Sequence, residues 1–339
     1  MVASATATSP ASSLLTEPPP TSESDTRVYY IDGGTVRYLA RDGSSGVAAQ
    51  VPAPSGSLIE FAVSPDDARI AVSIQSWDQQ TATFTESSYV EEVGTGSDQV
   101  QLPGLSCDEA GAGPPNASPA CETAAEDPIG WHDGDLVYQL TAAAPPQNSG
   151  FPTWLDSFGC QLVDPATGAA VGAPLCPYEN QQIPNFNGSP PPSAAGFLCA
   201  VAPGTASFPP DVQLRSWAGE VVTDLGSSDI DCAATTAVSA SGLVAFEDDY
   251  VVSETAVCSG PYSAVTIVRG GNVTKTTVKD IAVGWLDTDH LMVTPPNQHG
   301  GMDSYSVNSL QILDLNTDQL TSPLASQGFY AGAVPTLLS

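Results

Sequence analysis

The sequence is short of positive charge. Its 339 residues hold eight Lys and Arg and three His against 38 Asp and Glu, a formal net charge of −30. A surface of that sign repels phosphate backbones, which removes nucleic acid as a partner, and it disfavours anionic membranes for the same reason. Charged residues of both signs make up 14% of the chain, well below the usual quarter. The solvated surface must therefore come from Ser, Thr, Asn, Gln, Gly and Pro. No apolar run is long enough to cross a membrane as a helix, and no segment sustains a helical period with caps. Cys-x-x-Cys pairs are missing, which argues against a zinc site. So are the Gly-x-Ser-x-Gly elbow, the phosphate loop, the dinucleotide fingerprint and the paired-histidine metal motif.

Seven cysteines are present, at spacings that suit local disulfides. Cys107 and Cys121 bracket a Gly/Pro/Ala loop; a bridge there closes about 15 residues and stabilises by roughly 3 kcal/mol through chain entropy. Cys160 and Cys176 flank a hairpin turning at Asp164-Pro165-Ala166-Thr167-Gly168, and Cys232 and Cys258 bracket a pair of strands. Cys199 is then left over as a lone buried thiol, with Cys176–Cys199 as the rival pairing. Local bridges point to an oxidising compartment. Residues 1–26 form a Ser/Thr/Pro/Ala tail with too few large apolar groups to order, which reads as a tether ahead of one domain over 27–339. The tail lacks the apolar core of a secretory signal. The expectation is an extracellular or cell-envelope protein, with a signal or anchor upstream of Met1.

The rest is organised around Leu58–Ile74, LIEFAVSPDDARIAVSI. Two period-2 strands, Leu58–Val63 and Arg69–Ile74, flank a turn at Ser64-Pro65-Asp66-Asp67. Weaker copies start near residues 126, 190, 235 and 280, about 45 to 70 residues apart, with the excess in Pro/Gly loops. Four short strands per unit at such periods predict an all-β, six-bladed β-propeller. The last blade combines the C-terminal strand 329–334 with the N-terminal strands 28–51, so that N- and C-terminal strands close the ring. Seven blades are the alternative.

FAVSPDDARIAVS resembles the repeat of TolB-like, WD40-like (PD40-type) propellers, in which a strand runs into Ser-Pro-Asp-Gly and then an apolar strand. Here Asp67 stands in the glycine's place. IGWHDGDLVY and GWLDTDHLMV look like Trp-Asp-rich variants of the same repeat. The resemblance implies a six-bladed ring, an extracytoplasmic setting and a binding role.

Candidate sites follow from position. Trp131 and Trp285 occupy equivalent repeat positions, and packing between blades accounts for them better than a ligand platform. Trp77 and Trp154, in or near loops, are the better candidates for contact with a ligand, with His299 in an open loop. His132 and His290 fall in turns. Glu60 and Asp127 fall on innermost strands, where channel carboxylates would hold Ca²⁺ through oxygen ligands; two solvated acids are the plainer reading. The Asp-rich turns form turns first. Taken together, the sequence predicts a non-catalytic, monomeric binding module taking a protein, peptide or glycan on loops 75–83, 103–125, 141–156 and 177–192. The alternative is an enzyme of the lyase or glycosidase type using channel or loop carboxylates.

Overall fold

Leu58–Ile74 folds as its alternation dictates. β4 (Leu58–Val63) and β5 (Arg69–Asp78) pair antiparallel from Leu58↔Gln75 to Val63↔Ile70. Ile59, Phe61 and Val63 are buried on one face, while Ala62 is buried on the other. A computed structural model of the chain describes residues 27–32, 34–40, 44–78, 83–102, 106–108, 124–143, 154–175, 192–201, 211–226, 236–249, 262–285, 288–295, 304–306, 310–321 and 329–331. These residues contain strands and turns with no helix.

Six small sheets form the six blades of a propeller. Blade 1 holds β1 (Arg27–Asp32), β2 (Thr35–Ala40) and β3 (Ser45–Gln50), joined on the inner side by β25 (Phe329–Ala331) and then β22 (Ser304–Ser306). Blade 2 adds β6 (Thr83–Glu92) and β7 (Val100–Leu102) to β4 and β5, with β8 (Ser106–Asp108) also pairing with β6. Blade 3 runs β9 (Ala124–His132), β10 (Asp135–Ala143), β11 (Trp154–Val163) and β12 (Ala170–Leu175). Blade 4 has β13 (Phe197–Val201), β14 (Asp211–Arg215) and β15 (Val221–Gly226). Blade 5 has β16 (Thr236–Val238), β17 (Val244–Asp249), β18 (Tyr262–Arg269) and β19 (Asn272–Lys275). Blade 6 has β20 (Ile281–Trp285), β21 (His290–Thr294), β23 (Gln311–Asp314) and β24 (Gln319–Thr321). The expected closure is present: β25 pairs with β1 at Ile31↔Phe329.

Blade 4 shows three of the expected four strands among the described residues. The sequence ahead of β13 holds Pro190-Pro191-Pro192, and prolines have no amide to give a ladder. A bridge is made at Ser193↔Gly196. Glycine is required there: φ is +139°, and a Cβ would fall 1.8 Å from the Arg215 carbonyl oxygen.

Each blade buries both faces against its neighbours, and apolar clusters fill the seams. Blades 1 and 2 share Tyr29, Val36, Phe61 and Val72. Blades 2 and 3 share Ala71, Val90, Trp131 and Tyr138; blades 3 and 4 share Val137, Cys160, Phe197 and Cys199. Blades 4 and 5 share Leu214, Val238 and Phe246, and blades 5 and 6 share Ala245, Ile267, Trp285 and Leu291. The two equivalent tryptophans do the same work at two seams. Trp131 Nε1–H donates to the Ala62 carbonyl of the preceding inner strand at 3.3 Å, and Trp285 Nε1–H donates to that of Ala237 at 3.2 Å. Packing between blades, the preferred sequence reading, is what they do.

The cysteines need a correction. Cys160 is a free, buried thiol, so the expected Cys160–Cys176 bridge is not made. The register explains this. Cys160 lies opposite Leu175 across β11 and β12, so a cysteine directly across the ladder is not its partner. Cys199, expected as a lone thiol, is disulfide-bonded to a partner outside the described residues. Cys121, Cys176, Cys232, Cys258 and the side chain of Cys107 lie outside them too.

Asp67, the last residue of the Ser64-Pro65-Asp66-Asp67 turn, sits at φ 58°, a region that Asp tolerates better than most side chains. Its carboxylate joins blades 1 and 2. The Tyr29 hydroxyl donates to Oδ1 at 2.8 Å, and Arg27 Nε lies 3.8 Å from Oδ2 while its guanidinium stacks 4.3 Å above the Tyr38 ring. Asp67→Gly relieves the backbone but strands the Tyr29 hydroxyl, for a net loss of about 1–2 kcal/mol. Asp67→Ala should lose more, because alanine keeps the strain without the acceptor, and Asp67→Asn least. Urea midpoints of the three variants check this order.

Candidate functional site

Strands within a blade are antiparallel, so connections alternate between the two ends of the ring. One end carries tight turns: 64–68, 133–134, 164–169, 216–220, 239–243, 270–271 and 315–318. The Ser193 hydroxyl donates to the Ser239 carbonyl at 3.0 Å, tying the first turns of blades 4 and 5 together at this end. Every long connection leaves from the opposite end: 109–123 after β8, 144–153, 176–191, 202–210, 227–235, 250–261 and 295–310, the last interrupted by β22. None of these contains a Lys or Arg.

The expected contact residues fall at the long-connection end. The β5–β6 hairpin extends to Asp78↔Thr83 and the β10–β11 hairpin to Ala143↔Trp154. Trp77 stands opposite Phe84, itself paired with Cys107 of β8. Trp77 and Trp154 thus occupy strand ends on neighbouring blades, beside connections 79–82 and 144–153. Their side chains lie outside the described residues, as does His299. The sequence had placed the loops of blades 2 and 3 on the candidate surface. The strand Ala82–Val93 was expected and is present as β6, whereas β5 and β11 run past the expected Ile74 and Cys160, because the apolar alternation fades there while the ladder continues.

Glu60 is half-buried on β4 opposite Ser73, and Asp127 lies opposite Gln139 on β10, its side chain outside the described residues. Beside Glu60 is a row of buried polar groups. The Ser73 hydroxyl donates to Glu86 Oε1 at 2.9 Å, and the Ser88 hydroxyl reaches the same oxygen at 3.4 Å. Among the described residues no group of three or more His, Cys, Asp or Glu is placed to hold a metal ion.

The titratable groups gather instead at the tight-turn end, where blades 3 and 4 meet. The His132 ring stacks on Trp217 with centroids 3.7 Å apart and planes 6° from parallel. Trp217 is fixed by Phe197 at 5.2 Å and by its own Nε1–H donating to the Ser193 carbonyl at 3.0 Å. Burial pushes the Asp135 carboxyl up, with Asp164 adding to the effect. Asp164 is held down by the Ala166 amide and the Thr167 hydroxyl, both at 2.8 Å. Two carboxyls with separated pKa values are what acid–base catalysis needs. Here, however, each Asp164 oxygen already accepts from its own turn, which is the ordinary duty of an aspartate at that position. Asp66 acts likewise, accepting from the Ser64 hydroxyl at 2.6 Å and the Ala68 amide at 3.2 Å.

No family model matches this chain, and no curated protein matches it. Solved structures are similar to it at low identity. An uncharacterized protein from Listeria monocytogenes is 9% identical over 92% of this chain and 85% of its own, with a TM-score of 0.39. A eukaryotic initiation factor is 8% identical over 92% and 96%, at 0.30. The WD40 domain of SCAP from fission yeast is 8% identical over 87% and 72%, at 0.21. The propeller is defined by its own sheet order and does not lean on these likenesses.

His132 gives this end a pH dependence. Burial lowers its pKa from the usual 6.5, against the opposing pull of Asp133 and Asp135, and its buried Nδ1 has no hydrogen-bond partner. In the unfolded chain the ring takes a proton near pH 6.5; in the folded one it resists until lower pH. Stability from this group is therefore complete above about pH 6.5 and falls as pH drops from there to the folded value. His132→Phe keeps the stack on Trp217 and should flatten that part of the profile. Urea midpoints of both proteins at pH 8 and at pH 5.5 check it.

Proposed function

We propose that the ring is a non-catalytic binding module of an exported protein, TolB-like in its repeat, which takes a protein, peptide or glycan at its long-connection end. The observation that supports this reading is the unequal build of the two ends. Tight turns close one; the long connections and the extended hairpins of blades 2 and 3 all belong to the other. Rigid scaffolds carry recognition on such loops. The absence of Lys and Arg from the long connections favours a neutral or basic occupant over an anionic one. Trp77 and Trp154 supply the large, flat side chains that anchor binding surfaces.

The test is a screen of the full chain against immobilised neutral glycans and extended peptides, run with Ca²⁺ and with a chelator. Any ligand found is then measured against a double variant, Trp77→Ala with Trp154→Ala. Loss of about 30-fold or more in affinity, the weight of a binding hot spot, is expected, with Glu220→Gln at the tight-turn end leaving affinity unchanged. A ligand that ignores the tryptophan changes and responds to Glu220 refutes the assignment. Loss of binding in chelator, restored by Ca²⁺ and abolished by Glu60→Gln, would place the ion at the channel acids.

A further inference from the structure

Blade 6 contains an excursion that its own sheet does not require. β21 and β23 pair directly, from His290↔Asp314 to Val293↔Gln311, and a few residues suffice to join two such strands. Instead the chain leaves at Thr294 and returns at Leu310, both fully or almost fully buried. Midway it forms β22, which pairs with no strand of blade 6. It lies against β25 in blade 1, with Ser304↔Ala331, Tyr305↔Tyr330 and Ser306↔Phe329 in register. In the order β22-β25-β1-β2-β3, β22 is the strand nearest the ring axis.

We infer that this excursion is the clasp that holds the ring shut. β25 is the only strand carrying the chain's C-terminal part into blade 1 among the described residues, and it is three residues long. It meets β1 at the single pair Ile31↔Phe329 but meets β22 at three. The closing strand is therefore held by a strap from the preceding blade as well as by the N-terminal strands it was expected to join. A strand held on both edges loses the open ladder that frays.

Native-state hydrogen exchange of the unmodified chain in low urea tests this without any variant. Residues 304–306 and 329–331 should gain and lose protection in one step, ahead of global unfolding. If 304–306 exchange freely while 329–331 stay protected together with β1, the clasp is refuted. Ser304→Pro, Tyr305→Pro and Ser306→Pro, made singly, give the second reading. The variants whose amide faces β25 should speed exchange at 329–331 by about tenfold or more while β21 and β23 keep theirs. Unchanged exchange at 329–331 in all three overturns the inference.

Discussion

No blade of this protein can bury both of its faces alone, and that constraint governs the rest. A four-stranded sheet with apolar residues on both sides is stable only between two others, so the seams carry the fold. The seams are filled by different chemistry at nearly the same place. An indole reaches a carbonyl across two of them, a Ser hydroxyl across a third, and a Tyr–Asp–Arg group across a fourth. At the seam of blades 3 and 4 a His–Trp stack takes that role. The left-handed backbone at Asp67 makes sense at a seam, where the carboxylate offsets the strain with contacts to another blade.

Much of this architecture was legible in the chain. Period-2 alternation located nearly every strand, and LIEFAVSPDDARIAVSI contains an entire hairpin with its turn chemistry. The equivalence of Trp131 and Trp285 could be read because the residues around them repeat. Three things could not be read. Blade 4 shows three strands among the described residues where four were expected, beside the amide-poor run Pro190-Pro191-Pro192. β22 is Ser-Tyr-Ser, too short and too polar to announce a strand, and its partner lies outside its own blade. Disulfide choice depends on which face each Cys occupies, which spacing alone does not reveal. That is why Cys160 was assigned a bridge and is a free thiol.

The candidate site was legible in part, and for a related reason. Loops declare themselves by composition, so the surface around blades 2 and 3 was visible early. That all long connections share one end of the ring follows from strand count and antiparallel order, which only the assembled sheets supply. The His132–Trp217 stack joins two blades through residues 85 positions apart, and nothing local to either marks the other. Neither residue belongs to a repeat motif that would have paired them.

The chain enters the ring at Arg27, beside Asp67, on the end closed by tight turns. The long connections therefore stand on the face turned away from the point where residue 27 begins the first blade.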